Sequence, residues 1–77
     1  MLYVQHLTMD KHIIIYDIPR ERRSLTVKVN RKLHAIKAEK LQHSIWESQM
    51  LEELKDIATM IRSYGGQALV LKKKIVF

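Results

Sequence analysis

The spacing of apolar residues along the first half of the chain predicts a strand followed by a helix. Residues 13–16 form a continuous β-branched and aromatic run, which is typical of a central strand buried on both faces. Pro19 ends this strand. A helix over about residues 21–37 is then predicted from four apolar residues at spacings of four, four and three: Leu25, Val29, Leu33 and Ile36.

The second half of the chain repeats this order. Residues 40–48 lose the helical period and alternate between apolar and polar side chains, which predicts a strand or a bent hairpin. Ser48 is a candidate N-cap for a second helix, and Glu52 and Glu53 lie in its early turns, where the helix dipole favours anions. Its apolar stripe consists of Leu51, Leu54, Ile57, Ala58 and Ile61.

Two glycines mark the end of the second helix. Gly65 or Gly66 is expected to adopt the left-handed conformation that ends a helix. Residues 67–73 then predict the last clear strand, and residues 75–77 are a candidate for one more short strand.

The order of elements predicts an α+β fold, a single ferredoxin-like βαββαβ domain over residues 1–77. Both helices would cover one face of an antiparallel sheet. Tyr16 and Trp46 are candidates for the uncovered face, and an exposed apolar face on so small a domain predicts a homodimer that pairs through the sheet. Residues 1–10 are expected to form a leader or an extra edge strand.

Composition excludes several classes of protein. The chain has no cysteine, which excludes disulfides and thiolate metal sites. No apolar run approaches the roughly 20 residues that span a bilayer, and the amino-terminal stretch lacks a secretory pattern. We therefore expect a cytoplasmic protein without a membrane partner.

The positive charge is concentrated in one part of the chain. The formal net charge is +6, and residues 20–40 alone hold eight cations and two acids. Lys72, Lys73 and Lys74 form a second cluster, which either extends this surface or protects a sheet edge from aggregation. So uneven a distribution of charge is typical of a surface that binds a polyanion such as nucleic acid. The alternative is that the basic residues only form a solvated helix face that keeps the protein in solution.

Two motifs give the chain a resemblance to a known family. Tyr16-Asp17 ends the first strand, Arg22-Arg23 follows it, and "KLQHSIWES" lies after the basic helix. In this order they resemble the CRISPR-associated "Cas-two" family of small ferredoxin-like dimers, in which the second motif reads roughly Arg-Val-Gln-x-Ser-Val-Phe-Glu. The resemblance covers about residues 12–71, and its identical positions in that motif are Gln42, Ser44 and Glu47.

The resemblance implies a metal site at Asp17. In the family, the counterparts of Asp17 in two subunits face each other across a twofold axis and are proposed to hold a divalent cation. Mg²⁺ suits such a site because it needs few carboxylates when water and substrate phosphate complete its coordination. Asp17 is thus the candidate catalytic and metal-binding residue. The alternative is that Asp17 caps the helix or forms a salt bridge with Arg22 or Arg23.

Other side chains are assigned to nucleic acid or to the sheet. Guanidinium and ammonium groups donate charge-assisted hydrogen bonds to phosphate oxygens. The candidates for this contact are Arg20, Arg22, Arg23, Arg31 and Lys40. The candidates for sheet or dimer contacts are Tyr16, Gln42, Ser44 and Trp46. His43 and Ser44 are rejected as a base and nucleophile pair, because adjacent strand residues point to opposite faces. The four histidines show no zinc-site spacing.

These features leave several functions open. The resemblance implies a dimeric adaptor that binds duplex DNA and bridges a CRISPR integrase during spacer acquisition, or a Mg²⁺-dependent endonuclease acting on RNA or DNA. A toxin-like RNase, or a non-catalytic nucleic-acid-binding module outside CRISPR, is the alternative. A ligand-sensing module of the same fold is disfavoured because the sequence shows no glycine-rich loop.

Overall fold

The computed structural model describes residues 10–74, which form two helices and four strands. The candidate strand at 75–77 and nearly all of the predicted leader at 1–10 lie outside the described residues. In chain order the elements are β1 (His12–Asp17), α1 (Arg23–Ala35), β2 (Glu39–Gln42), β3 (Ile45–Ser48), α2 (Leu51–Ser63) and β4 (Gln67–Lys72).

The strands form one antiparallel sheet in the order β2-β3-β1-β4. This topology confirms the predicted ferredoxin-like α+β fold. Of the two predictions for residues 40–48, the bent hairpin is confirmed, because β2 and β3 pair across a turn at residues 43–44. β1 lies inside the sheet, so its end is surrounded by other elements.

The core lies between the helices and one face of the sheet. The predicted stripes are buried there: Leu25, Val29 and Leu33 from α1, and Leu54, Ile57, Ala58 and Ile61 from α2. The sheet contributes Ile14, Tyr16, Trp46 and Ala68.

The prediction that Tyr16 and Trp46 lie on the uncovered face is wrong. Only 9% of Tyr16 and 3% of Trp46 are exposed, and Trp46 Nε1 donates to the Tyr16 hydroxyl at 3.1 Å. The reason is register: Ile14 pairs with Trp46, and side chains two apart on β1 share a face, so all three point toward the helices. Burial raises the pKa of Tyr16, although the hydrogen bond from Trp46 opposes the shift.

The opposite face of the sheet carries the alternate residues, and no described helix covers it. Ile13 and Ile15 of β1 pair there with Leu71 and Leu69 of β4. Leu69 is 58% exposed and Leu71 47% exposed. We call the surface formed by Ile13, Ile15, Ile45, Leu69 and Leu71 the open face; it is the surface expected to pair in a dimer.

Both helices end in the same backbone motif. Gly65 has a φ of 93°, as expected, and the Gly66 N–H donates to the Ile61 carbonyl at 2.9 Å. At the end of α1 the equivalent left-handed residue is Lys37, with a φ of 58°. The Ala38 N–H donates to the Leu33 carbonyl at 2.9 Å.

Ser48 is not the N-cap of α2. The serine belongs to β3, and the helix begins two residues after Gln49, with Met50 at the cap position. The Ser48 hydroxyl instead accepts a hydrogen bond from the Met50 N–H at 3.0 Å, which turns the chain from the strand into the helix. Glu52 and Glu53 do lie in the first turn.

Residues 10–74 contain no helix that is long and apolar enough to cross a membrane.

Candidate nucleic-acid and metal site

Three connections meet at one end of the sandwich, which we call the loop end. They are the β1–α1 loop (18–22), the β2–β3 turn (43–44) and the α2–β4 turn (64–66). The Tyr16 N–H donates to the Ser44 carbonyl at 3.1 Å, which ties the β2–β3 turn to β1. Asp17 pairs with Gln67 of β4, so the α2–β4 turn also lies beside the end of β1.

Gly66 allows the closest of these approaches. A Cβ atom placed on Gly66 would lie only 2.8 Å from the carbonyl oxygen of Asp17 and 2.7 Å from Cγ2 of Ile61. Glycine therefore lets the α2–β4 turn pack directly against the backbone that carries the Asp17 side chain.

A cleft of about 260 Å³ opens at the loop end, and we call it the Asp17 cleft. It brings together five of the residues assigned to a site from the sequence: Tyr16, Asp17, Arg20, Lys40 and Ser44. Its full lining is Tyr16, Asp17, Ile18, Arg20, Thr26, Asn30, Lys40, His43 and Ser44.

The Asp17 carboxylate is exposed and has no hydrogen-bond or ion-pair partner within residues 10–74. The N-cap of α1 is Arg22, and no side chain caps that helix. The two alternatives for Asp17, a helix cap and a salt bridge to Arg22 or Arg23, are therefore not formed in the described chain. Within residues 10–74, nothing therefore occupies the carboxylate of Asp17 that would prevent it from binding a ligand.

The donor chemistry around Asp17 fits a hard cation. The residues that line the cleft include Thr26, Asn30 and Ser44 as well as Asp17, and oxygen donors are those that Mg²⁺ prefers. No group of three or more His, Cys, Asp or Glu residues that could hold a metal occurs within residues 10–74. One chain offers a single carboxylate here, so the expected site needs the Asp17 of a second chain.

The predicted phosphate-binding residues form no ion pair within residues 10–74, and they do not form a single cluster. Ion pairs within residues 10–74 use other lysines as their cations: Lys11, Lys55, Lys72 and Lys73. Arg20 and Lys40 line the Asp17 cleft, whereas Arg22 lines a separate groove.

The remaining two arginines lie along α1. Arg23 is three and seven residues before Thr26 and Asn30, so it shares their side of the helix, but it is exposed and does not line the Asp17 cleft. Arg31 follows Asn30 directly, and one helical residue turns the chain by about 100°. Arg31 is exposed and is absent from the described lining of the cleft.

The assignments around the β2–β3 turn need one correction. His43 and Ser44 are turn residues, with Ser44 at a φ of 66°, so strand alternation is the wrong reason for rejecting them as a catalytic pair. Both line the Asp17 cleft, but no hydrogen bond joins their side chains in the described structure. Gln42 ends β2 and is exposed. Ser44 acts through its backbone carbonyl, which extends the pairing with β1.

Thr26 and Asn30 line the Asp17 cleft, and sequence reasoning missed both of them. Their spacing of four, on the polar side of a helix that begins at Arg23, was the available signal. Polar residues on an amphipathic helix are usually only solvated, so this signal was weak without the position of the cleft.

Glu47, identical to the family motif, lies at the opposite end of the sheet from the Asp17 cleft. Only 4% of its side chain is exposed, and Lys73 Nζ lies 3.1 Å from both carboxylate oxygens. Lys11 Nζ lies 3.4 Å from Oε2. Burial alone would raise the pKa of Glu47, but the hydrogen bonds and charges of these two lysines outweigh it and hold the pKa below its ordinary value.

Comparisons with models of protein families, with curated proteins and with solved structures give no match to this chain. The resemblance to the Cas-two family therefore rests on the motifs at Tyr16-Asp17 and at residues 40–48.

Proposed function

We propose that this protein is a homodimeric nucleic-acid-binding protein in which a divalent cation, held by Asp17, supports phosphodiester hydrolysis of RNA or DNA. The observation that carries the proposal is the Asp17 cleft. It combines a carboxylate without a partner in the described chain with two cations, Arg20 and Lys40, that form no described ion pair.

The open face supports the dimer. Leu69, Leu71 and Ile15 are between 37% and 58% exposed on adjacent strands, and contiguous exposed apolar surface is characteristic of protein interfaces. Asp17 lies on the same face as Ile15, because residues two apart on a strand share a face. Pairing of two open faces about a twofold axis would therefore bring both carboxylates to one interface.

A shared cation removes the electrostatic cost of that arrangement. Two carboxylates brought together repel each other, and a hard divalent cation neutralises them. When bound, such an ion polarises a phosphoryl oxygen and lowers the pKa of bound water. The protein's own contribution is to hold the phosphate backbone with Arg20 and Lys40, which line the same cleft as Asp17.

The family resemblance supports a biological role in CRISPR spacer acquisition. In that role the dimer binds duplex DNA in the cytoplasm and bridges an integrase. Co-purification with an integrase encoded beside a repeat array would support the adaptor role. Purification of the chain free of such a partner, from cells that contain the array, would favour the alternative of a toxin-like RNase or a binding module outside CRISPR.

Salt dependence tests the binding surface. The affinity of the wild-type protein for duplex DNA or RNA should fall steeply between low and moderate salt, because each neutralised phosphate contributes about 0.9 to the slope of log K against log salt. Arg20→Gln combined with Lys40→Gln should reduce that slope by about 1.8. The control is Lys55→Gln, an exposed lysine on α2 that forms an i,i+3 pair with Glu52. A slope unchanged by the double substitution would contradict the assignment.

Cleavage separates the enzyme from the adaptor. Asp17→Ala should abolish Mg²⁺-dependent cleavage, while size-exclusion chromatography with light scattering still shows a folded dimer. Undiminished cleavage by a clean preparation of this variant would remove Asp17 from the catalytic role and leave only the binding function.

A further inference from the structure

A second groove at the loop end is lined by two cations and an aromatic ring. It has a volume of about 280 Å³ and is lined by Arg22, Ser24, Leu25, Lys28 and Tyr64. Its described lining contains two cations and no acid. Tyr64 is 46% exposed and does not belong to the buried core, so its ring contributes contact area to the surface rather than to the core.

The backbone around Tyr64 is held by several hydrogen bonds. Tyr64 is the C-cap of α2, and its N–H donates to the Ile61 carbonyl at 3.2 Å. Arg62 reaches across the α2–β4 turn and donates to the Ala68 carbonyl through Nε, at 3.1 Å, and through Nη2. The close packing of Gly66 against Asp17 fixes the other side of the turn. The tyrosine is therefore presented from a rigid support, which lowers the entropic cost of stacking a ligand on its ring.

Lys28 places a positive charge beside this ring. Its Nζ lies 5.9 Å from the centroid of Tyr64, within the range of a cation–π contact. At an exposed site such a contact is weak, and lysine has a flexible four-carbon stem. Lys28 can therefore leave the ring for a phosphate at little cost.

The groove lies close to the Asp17 cleft. Arg20 lines the cleft and Arg22 lines the groove, and two residues of chain span at most about 7 Å. The α2–β4 turn, which begins at Tyr64, also packs against the end of β1 through Gly66 and Asp17. A polynucleotide strand held by Arg20 is therefore within reach of Arg22 and of the Tyr64 ring.

We infer that this groove, the Tyr64 groove, is a subsite for one unpaired nucleotide, with the base stacked on Tyr64 and the adjoining phosphate held by Arg22 and Lys28. The inference rests on the proposed nucleic-acid-binding function and adds that the strand leaving the Asp17 cleft is single-stranded. An aromatic platform with flanking cations is the recurring arrangement in proteins that bind single strands, because every base has a face that can stack.

Fluorescence anisotropy with labelled single-stranded DNA of about 12 nucleotides tests this subsite. Tyr64→Ala should weaken binding by roughly 5- to 150-fold, the equivalent of 1–3 kcal/mol for one stacked base. Tyr64→Phe keeps the ring and should bind like the wild type. Met50→Ala is the matched control, because Met50 is 41% exposed and caps the opposite end of the same helix.

Two further measurements separate stacking from charge. Tyr64→Ala should leave the salt slope unchanged, whereas Arg22→Gln should reduce it by about 0.7, the contribution of one phosphate on a single strand. A probe with abasic sites retains its phosphates but offers no base, so the wild type and Tyr64→Ala should bind it equally.

The outcomes distinguish this subsite from the proposed function. Equal binding of normal single strands by the wild type and Tyr64→Ala would overturn the subsite. The subsite would also be overturned if Tyr64→Ala lost as much affinity for the abasic probe as it does for the normal strand. Wild-type binding of duplex but not of single strands would also overturn it, leaving the proposed function intact. Failure of the wild type to bind either duplex or single strands would overturn both.

Discussion

The ion pairs of Glu47 are expected to make a measurable contribution to stability. Glu47 is 4% exposed and contacts Lys73 at 3.1 Å and Lys11 at 3.4 Å. Glu47→Gln keeps the size of the side chain and removes the charge. A hydrogen bond to a charged group contributes about 1.5–3 kcal/mol. Because the two lysines are 37% and 45% exposed, water screens part of the interaction, and we expect a loss near the lower end, about 1.5–2 kcal/mol.

Urea unfolding at pH 7, followed by the fluorescence of Trp46, measures this loss. Trp46 is the only tryptophan and is buried in the core, so its emission reports global unfolding. Urea is preferable to guanidinium chloride, whose ions would screen the interaction. Protein concentration is held constant, because the proposed dimerisation would make apparent stability concentration-dependent. Glu52→Gln is the control: its pair with Lys55 is exposed and should contribute less than about 1 kcal/mol.

The pH dependence of stability provides an independent check of the same interaction. The pKa of Glu47 in the folded protein is below its ordinary value of 4.5, so the unfolded chain binds this proton more readily. The stabilisation is therefore present above about pH 4.5 and is lost as the pH falls through the folded pKa. The difference between the wild type and Glu47→Gln should shrink over that range. Equal stability at pH 7, or a difference that is the same at pH 7 and pH 3, would refute this reasoning.

Two backbone substitutions give opposite expectations, both measured by the same unfolding experiment. Gly66→Ala should destabilise the protein by about 1–3 kcal/mol, because its Cβ would meet Ile61 and the Asp17 carbonyl at 2.7 and 2.8 Å. Gly65→Asn is the control, because the space around Gly65 is open and asparagine tolerates a positive φ. If Gly66→Ala cost no more stability than Gly65→Asn, the expected clash would be absent. Lys37→Gly should stabilise the protein by about 0.5–1 kcal/mol, since glycine removes the strain of a φ of 58° at the end of α1. A loss of stability in this variant would show that the strain at Lys37 is negligible.

Periodicity predicted the fold well because the helices are strongly amphipathic. Leu25, Val29 and Leu33 form the buried stripe of α1 that their spacing indicated. The end of α2 was also predictable, since only glycine adopts a left-handed conformation without a steric penalty. By contrast, the left-handed residue that ends α1 is Lys37, and a lysine gives no such signal.

The faces of the sheet were harder to predict than its strands. The run at residues 13–16 is apolar at every position, so it gives no alternation from which to assign Tyr16 to a face. The register with β3, which pairs Ile14 with Trp46, decides that assignment, and this pairing is long-range. The wrong assignment of Ser48 as the N-cap of α2 has a different, local cause. Residues that favour the N-cap position also favour the turn that precedes a helix, and Ser48 forms such a turn with Met50.

The candidate site was only partly visible in the sequence. Asp17 stood out because it ends a buried strand, and Arg20 because it belongs to the basic cluster over residues 20–40. Lys40 joins them only through the β2–β3 hairpin, and Tyr64 reaches the same end only through the α2–β4 turn. Such groupings come from chain topology, which local patterns do not encode.

The central claim is that the Asp17 carboxylates of two chains share one divalent cation. Mn²⁺ is suited to the test, because it accepts the same carboxylate and water ligands as Mg²⁺, and its paramagnetic resonance signal distinguishes free from bound ions. Titration of the dimer should show one ion bound per two chains, and Asp17→Asn should abolish this binding while Asp56→Asn, a change on α2, leaves it intact. Binding of one ion per single chain, or binding that survives in Asp17→Asn, would contradict the account.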